Sequence, residues 1–93
     1  MRIIGQIDHP TLKISVFRNE NRTFLKIENG VSEMTWKLGD DDRFKTTEAV
    51  QKLVDPPFLQ EVDRQFQQMH ATRLAAMSRL FPVLSGSEFE TII

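Results

Sequence analysis

The sequence predicts an α+β domain: a four-stranded antiparallel β-meander followed by a short helix and a long amphipathic C-terminal helix packed on one face of the sheet. Three observations carry this reading. Apolar and polar residues alternate over the first 38 positions, Gly39 to Arg43 breaks the alternation, and from Leu59 the apolar spacing becomes three and four.

Strand register follows from the turns. Asn29-Gly30 suits a two-residue type I′ hairpin, which needs positive φ at both central positions. It pairs Glu28 with Val31; carried outward, that register sets Leu25 opposite Met34 and Thr23 opposite Trp36 on one face, and Lys26 opposite Glu33 and Phe24 opposite Thr35 on the other. A turn at Glu20-Asn21 pairs Val16 with Leu25 and Ile14 with Ile27. A turn at His9-Pro10 pairs Ile7 with Leu12 and Ile3 with Val16; because Pro cannot take positive φ, a cis peptide or a wider loop is expected there. All three hairpins then share one apolar face made of Ile3, Ile7, Leu12, Ile14, Val16, Leu25, Ile27, Met34, Trp36 and Leu38. A one-residue slip in any hairpin would turn its apolar set outward, so this agreement argues for the meander.

Gly39-Asp40-Asp41-Asp42-Arg43 reads as a solvated loop. Thr46 can cap a short helix from Thr47 to Val54, with Glu48 placed favourably in the first turn. Asp55 caps the next helix and Pro56 fits its first turn, where a missing N–H costs nothing. Leu59, Val62, Phe66, Met69, Arg73, Ala76 and Leu80 then form one stripe, and Pro82 ends the helix. About 24 residues make a helix of roughly 36 Å, whereas seven-residue strands span about 24 Å. Part of the stripe should overhang the sheet and meet either the folded-back tail or a second chain.

The 93 residues are one domain's worth of chain, read as a domain over 1–82 and a linker-like tail over 83–93. With no cysteine there is neither a disulfide framework nor thiolate chemistry, and a reducing, cytoplasmic setting is expected. No apolar run approaches the roughly 18 residues of a membrane span. A net charge of −1 removes the simplest argument for nucleic acid. Residues 1–38 carry six Lys/Arg against four Asp/Glu, too small an excess to name a partner.

No catalytic constellation is visible, and neither a metal nor a cofactor is expected. His9 and His70 are the only histidines and stand far apart in sequence. Asp40-Asp41-Asp42 lacks the alternating ligands and terminal Glu of a calcium loop and reads as solvated. Only four glycines are present, with no phosphate-cradling cluster and no Gly-x-Ser-x-Gly elbow. Glu90-Thr91-Ile92-Ile93 has the hydroxyl and terminal aliphatic that carboxylate-capturing domains read, a pattern short enough to arise by chance.

Two surfaces remain. The first is the distal helix, where Phe66, Met69, Arg73, Met77 and Leu80 form the candidate partner-binding set. Arg73 interrupts the stripe; it is expected to snorkel at the sheet edge, the alternative being a carboxylate across a dimer seam. The basic residues Arg64, Arg73 and Arg79 also suit a helix C-terminal half, where cations offset the macrodipole. The second surface is the outer sheet face, where Lys13, Phe17, Phe24, Lys26 and Lys37 could stack and neutralise a single-stranded nucleic acid. Against that, Glu28 opposite Lys13 and Glu33 opposite Lys26 pair much of the charge, as on an ordinary solvated face.

Gly5-Gln6-Ile7-Asp8-His9-Pro10, Leu25-Lys26-Ile27-Glu28-Asn29-Gly30 and Glu33-Met34-Thr35-Trp36-Lys37 together resemble a group of short uncharacterised bacterial proteins, over Ile4 to Lys37. That group implies no activity and no functional residue. In architecture, four antiparallel strands and a following helix are similar to one repeat of the Pur-alpha-like and coactivator-like single-strand binders, which dimerise; this is analogy of fold alone. The expectation is a small non-enzymatic adaptor or regulatory domain whose partner is itself, as a homodimer, or another protein, with single-stranded nucleic acid as the alternative.

Overall fold

A computed structural model of the chain describes residues 2–81. Four strands, β1 (Arg2–Ile7), β2 (Lys13–Asn19), β3 (Arg22–Glu28) and β4 (Glu33–Gly39), form one antiparallel sheet in the order β1-β2-β3-β4. A 3-10 turn at Asp42–Phe44 leads into α1 (Thr47–Leu53) and α2 (Pro56–Leu80). The α+β meander with a long C-terminal helix is therefore the observed architecture. The tail over 83–93, with its terminal Thr-Ile-Ile, lies outside the described residues.

Each hairpin shows how local chemistry sets register. Between β2 and β3, Glu20 and Asn21 take φ of 51° and 69°, the mirror-image turn that matches strand twist. Ile14 pairs with Ile27 and Val16 with Leu25, as the sequence predicts. Between β3 and β4 the expected two-residue turn is replaced by the four-residue loop Asn29–Ser32. The Asn29 side chain takes the turn over: its Oδ1 accepts from the Val31 and Ser32 N–H groups at 3.1 and 2.8 Å, while its own N–H donates to the Ser32 carbonyl at 3.1 Å. Leu25 consequently pairs with Trp36 and Ile27 with Met34, two residues from the expected register. An even shift preserves the faces, so Met34 and Trp36 still pack against the core.

The β1–β2 connection is the wider loop rather than a cis peptide; no cis bond occurs among the described residues. The His9 ring organises it, Nδ1 accepting from the N–H groups of Thr11 and Leu12 at 3.1 and 3.0 Å. Ile7 then pairs with Ile14 rather than Leu12, and a register break between Ile3 and Gly5 places Ile3 opposite Phe17 and Gly5 opposite Val16. This bulge corrects the face of Ile3: it lies on the outer side, 47% exposed, and Ile4 packs against the core instead. Gly5 has a packing reason as well. Thr47 sits directly over it, donating its hydroxyl to the Ile4 carbonyl at 3.3 Å, so the start of α1 presses on β1 where no Cβ intervenes.

Both helices start as their caps dictate. Thr46 Oγ1 accepts from the Ala49 N–H at 3.2 Å and Asp55 Oδ1 from the Phe58 N–H at 3.0 Å, each satisfying an amide that the first turn leaves without a partner. The core joins Ile7, Ile14, Val16, Leu25 and Ile27 of the sheet to Val50 and Val54 at α1 and to Val62 and Phe66 of α2. Trp36 and Phe58 close one side with ring centroids 5.1 Å apart. At the end of the sheet, buried Thr23 donates to the Phe44 carbonyl at 2.8 Å and accepts from Arg18 Nη1 at 2.6 Å.

Phe66 is the last core residue of α2. Every residue from Gln67 to Phe81 is exposed; Gln68 and Met69 still flank β4, and about three turns of helix beyond them project past the sheet. The chain spans 53 Å in its longest dimension, with a Cα radius of gyration of 17.1 Å; a compact chain of this size would have about 12 Å.

Candidate functional site

The overhang keeps the spacing that buries the first half of α2. At 100° per residue, Phe66, Met69, Arg73, Met77 and Leu80 fall within an arc of about 80°. The structure puts Phe66 at 3% exposure, inside the core, which corrects its place in the partner-binding set. Met69, Met77 and Leu80 are 39%, 44% and 71% exposed, and Leu74 and Phe81, at 48% and 45%, widen the patch on the Met77 side. Five large apolar side chains thus line a face that nothing among the described residues covers.

Arg73 lies two turns beyond the last buried position, so it does not snorkel at the sheet edge as expected. Its Nη2 stands 3.0 Å from His70 Nδ1 and its Nη1 3.8 Å from Met77 Sδ, both on the same helix. Since Arg has only donors, His70 Nδ1 is the acceptor there. Arg73 and Arg79 have no carboxylate within 4.0 Å among the described residues, whereas Arg64 is held by Glu61 at 2.6 Å. The projecting half of the helix is therefore apolar and cationic.

Where α2 leaves the sheet it forms a groove with β4. Met34, Trp36 and Met69 line it together with Glu33, Thr35, Gln65 and Gln68, around a volume of about 480 Å³. Sequence reasoning missed this groove. Its walls come from segments some thirty residues apart, and Gln65 and Gln68 give no periodic signal of a neighbouring strand.

On the outer sheet face, Lys13, Phe17, Phe24, Lys26 and Lys37 share one side. Ile3, Phe17, Phe24 and Lys37 form a row across all four strands, the two half-buried rings being direct cross-strand partners. Lys26 is committed to Glu28 and Glu33 at 3.9 and 3.7 Å, which relieves two glutamates standing directly opposite each other. Lys13 faces Glu28 in register, yet neither Lys13 nor Lys37 has an ion pair among the described residues.

A cleft of about 770 Å³ opens between the end of the sheet and α1. Arg2, Arg18 and Lys45 line it, but so do Asp40, Asp42 and Glu48, and the balance gives no preference for either charge. In the neighbouring acidic loop two of the three carboxylates are paired locally. Arg43 grips Asp41 through side-chain hydrogen bonds as short as 2.8 Å and through its backbone N–H, lowering the Asp41 carboxyl from 3.8 to about 2; Lys45 pairs with Asp42 at 2.9 Å. No group of three His, Cys, Asp or Glu able to hold a metal occurs among the described residues, and no described helix is long and apolar enough to cross a membrane. Comparison with family models, curated proteins and solved structures yields no match.

Proposed function

We propose that the chain is a small non-enzymatic interaction domain, an adaptor or regulatory module of the cytoplasm, that works as a homodimer through the overhanging half of α2. The observation that carries this is the run of exposed apolar residues from Met69 to Phe81, continuing the stripe that buries Val62 and Phe66. At roughly 200 Å² for a large apolar side chain, the exposed fractions of the five amount to about 500 Å². A monomer's largest patch is of that order and is often functional. Two such patches meeting face to face cover at most about 1,000 Å², about the least that a biological interface buries and the size of a weak, reversible one. A second copy supplies an apolar face of equal size, and the net charge of −1 adds little long-range repulsion, the like charges to be kept apart in the seam being Arg73 and Arg79. The two histidines are engaged locally, one in its loop and the other with Arg73, which favours an interaction role over catalysis. A cytoplasmic setting suits a chain without cysteine.

Light scattering and sedimentation over a range of concentrations should give twice the chain mass. Met77→Glu and Leu80→Glu should each raise the dissociation constant at least tenfold, since each removes about 1.5–3 kcal/mol of burial and places a carboxylate in the seam. Far-UV circular dichroism should be unchanged, both positions being outside the core. A strict monomer at high concentration refutes the reading. The row Ile3–Phe17–Phe24–Lys37 favours one further reading, a single-stranded nucleic acid lying on the outer face. Fluorescence anisotropy with labelled single strands decides it, absence of binding at low salt being the negative result.

A further inference from the structure

We infer that the two overhangs pair antiparallel in one register, with Met69 of each copy against Leu80 of the other, Arg73 against Ala76, and the helices crossing between Leu74 and Ala75. This rests on the homodimer reading of the same helix.

The argument starts from spacing. The stripe alternates two classes of position, Leu59, Phe66, Arg73 and Leu80 on one side and Val62, Met69 and Ala76 on the other. Two antiparallel helices mesh when one class of each faces the other class of its partner, and successive solutions differ by one heptad. Sliding the pair one heptad toward the N-termini sets Leu80 against Val62 and Ala76 against Phe66. Those residues are 1% and 3% exposed beneath their own sheet, so a partner cannot reach them. Sliding one heptad the other way leaves Met69 uncovered and little but Ala76 and Leu80 in contact. Only the register stated engages every exposed stripe residue while touching none that the protomer already buries.

Two features of the structure fit this register independently of the spacing. The first is Arg73, which the stripe does not otherwise explain. It meets Ala76, the smallest residue of the stripe, so there is room for its stem. Helical side chains lean toward their own N-terminus, and the 3.0 Å approach to His70 shows Arg73 reaching in that direction. In an antiparallel pair the two guanidiniums then point away from each other. A parallel pair would stack Arg73 on Arg73 and bring both sheets to the same end. The second is the groove beside β4. Met69 is part of its lining with Met34 and Trp36, so Leu80 of the other copy, opposite Met69, is seated over an apolar floor. Leu74, Met77 and Phe81 flank the seam on one side.

Because the chain has no cysteine, introduced thiols report without interference. Met69→Cys and Leu80→Cys are prepared separately, oxidised alone and as an equimolar mixture, and resolved without reductant; circular dichroism checks that both fold. The mixture should form a disulfide between the two variants, random pairing making about half of the dimers mixed. Met69→Cys alone should not cross-link, its two copies being about 16 Å apart along the axis and beyond disulfide reach. Self-cross-linking of Met69→Cys overturns the register. So does failure of the mixture to cross-link while the unmodified chain has dimer mass, an outcome that leaves the homodimer reading standing. A monomeric unmodified chain removes both.

Discussion

Gly5→Ala tests how closely α1 presses on the sheet. The backbone at Gly5 does not need positive φ, so on conformational entropy alone Ala would stabilise the protein by about 0.4–1 kcal/mol. Packing reverses the sign. An added Cβ overlaps Thr47 Oγ1 and lies 2.9 Å from both Thr47 Cβ and Cγ2. Rotation about χ1 can move the hydroxyl aside, but Cβ is fixed to the backbone, so α1 itself must retreat. Overpacking of this kind costs about 1–3 kcal/mol, and retreat breaks the Thr47 hydroxyl bond to the Ile4 carbonyl, worth about 0.5–1.5 kcal/mol. The net loss should be about 2 kcal/mol, read as a fall of about 2 M in the urea midpoint for a slope near 1 kcal/mol/M. In a Thr47→Gly background the same change should cost far less, a coupling of about 1–2 kcal/mol. The reasoning is wrong if Gly5→Ala matches or exceeds the wild-type midpoint, or if its cost is the same with Thr47 removed.

Two further outcomes are expected. Thr23→Val keeps the volume of a fully buried residue but leaves the Phe44 carbonyl and Arg18 without their hydroxyl; it should cost about 1–3 kcal/mol in urea unfolding, against little for Thr35→Val on the exposed edge strand. Asp41 should titrate by carbon-detected NMR near 2, below the ordinary 3.8. A carboxyl lowered on folding contributes stability that is present above its unfolded value and lost as pH falls, here between about 4 and 2, and Asp41→Asn should abolish that part of the pH dependence.

The outer and inner faces of the sheet were legible before any coordinates, although two of the three registers were not. Residue alternation has period two, so the even shift at Asn29–Ser32 left Leu25, Ile27, Met34 and Trp36 on the expected side. Ile3 was misplaced because a bulge inserts an odd residue, and nothing local announces it: the bulge accompanies Thr47 pressing on Gly5, forty-two residues away. The exposed apolar stripe of α2 was legible except at its start. Phe66 has the same spacing and chemistry as Met69, and only the extent of the sheet beneath the helix separates a core residue from an exposed one.

By itself, then, the chain determined most of what acts within a few residues: the turn at Glu20-Asn21, the caps Thr46 and Asp55, the start of α2 at Pro56 and its end near Leu80, though not the four-residue loop that the Asn29 side chain builds. These rest on hydrogen bonds and steric preferences satisfied inside one turn, so they survive errors elsewhere. Tertiary structure alone decided where burial stops along α2, that a groove opens beside β4, and that Arg73 has no carboxylate near it among the described residues. Each depends on where distant segments lie relative to one another, which is set by packing of the whole core rather than by any local pattern.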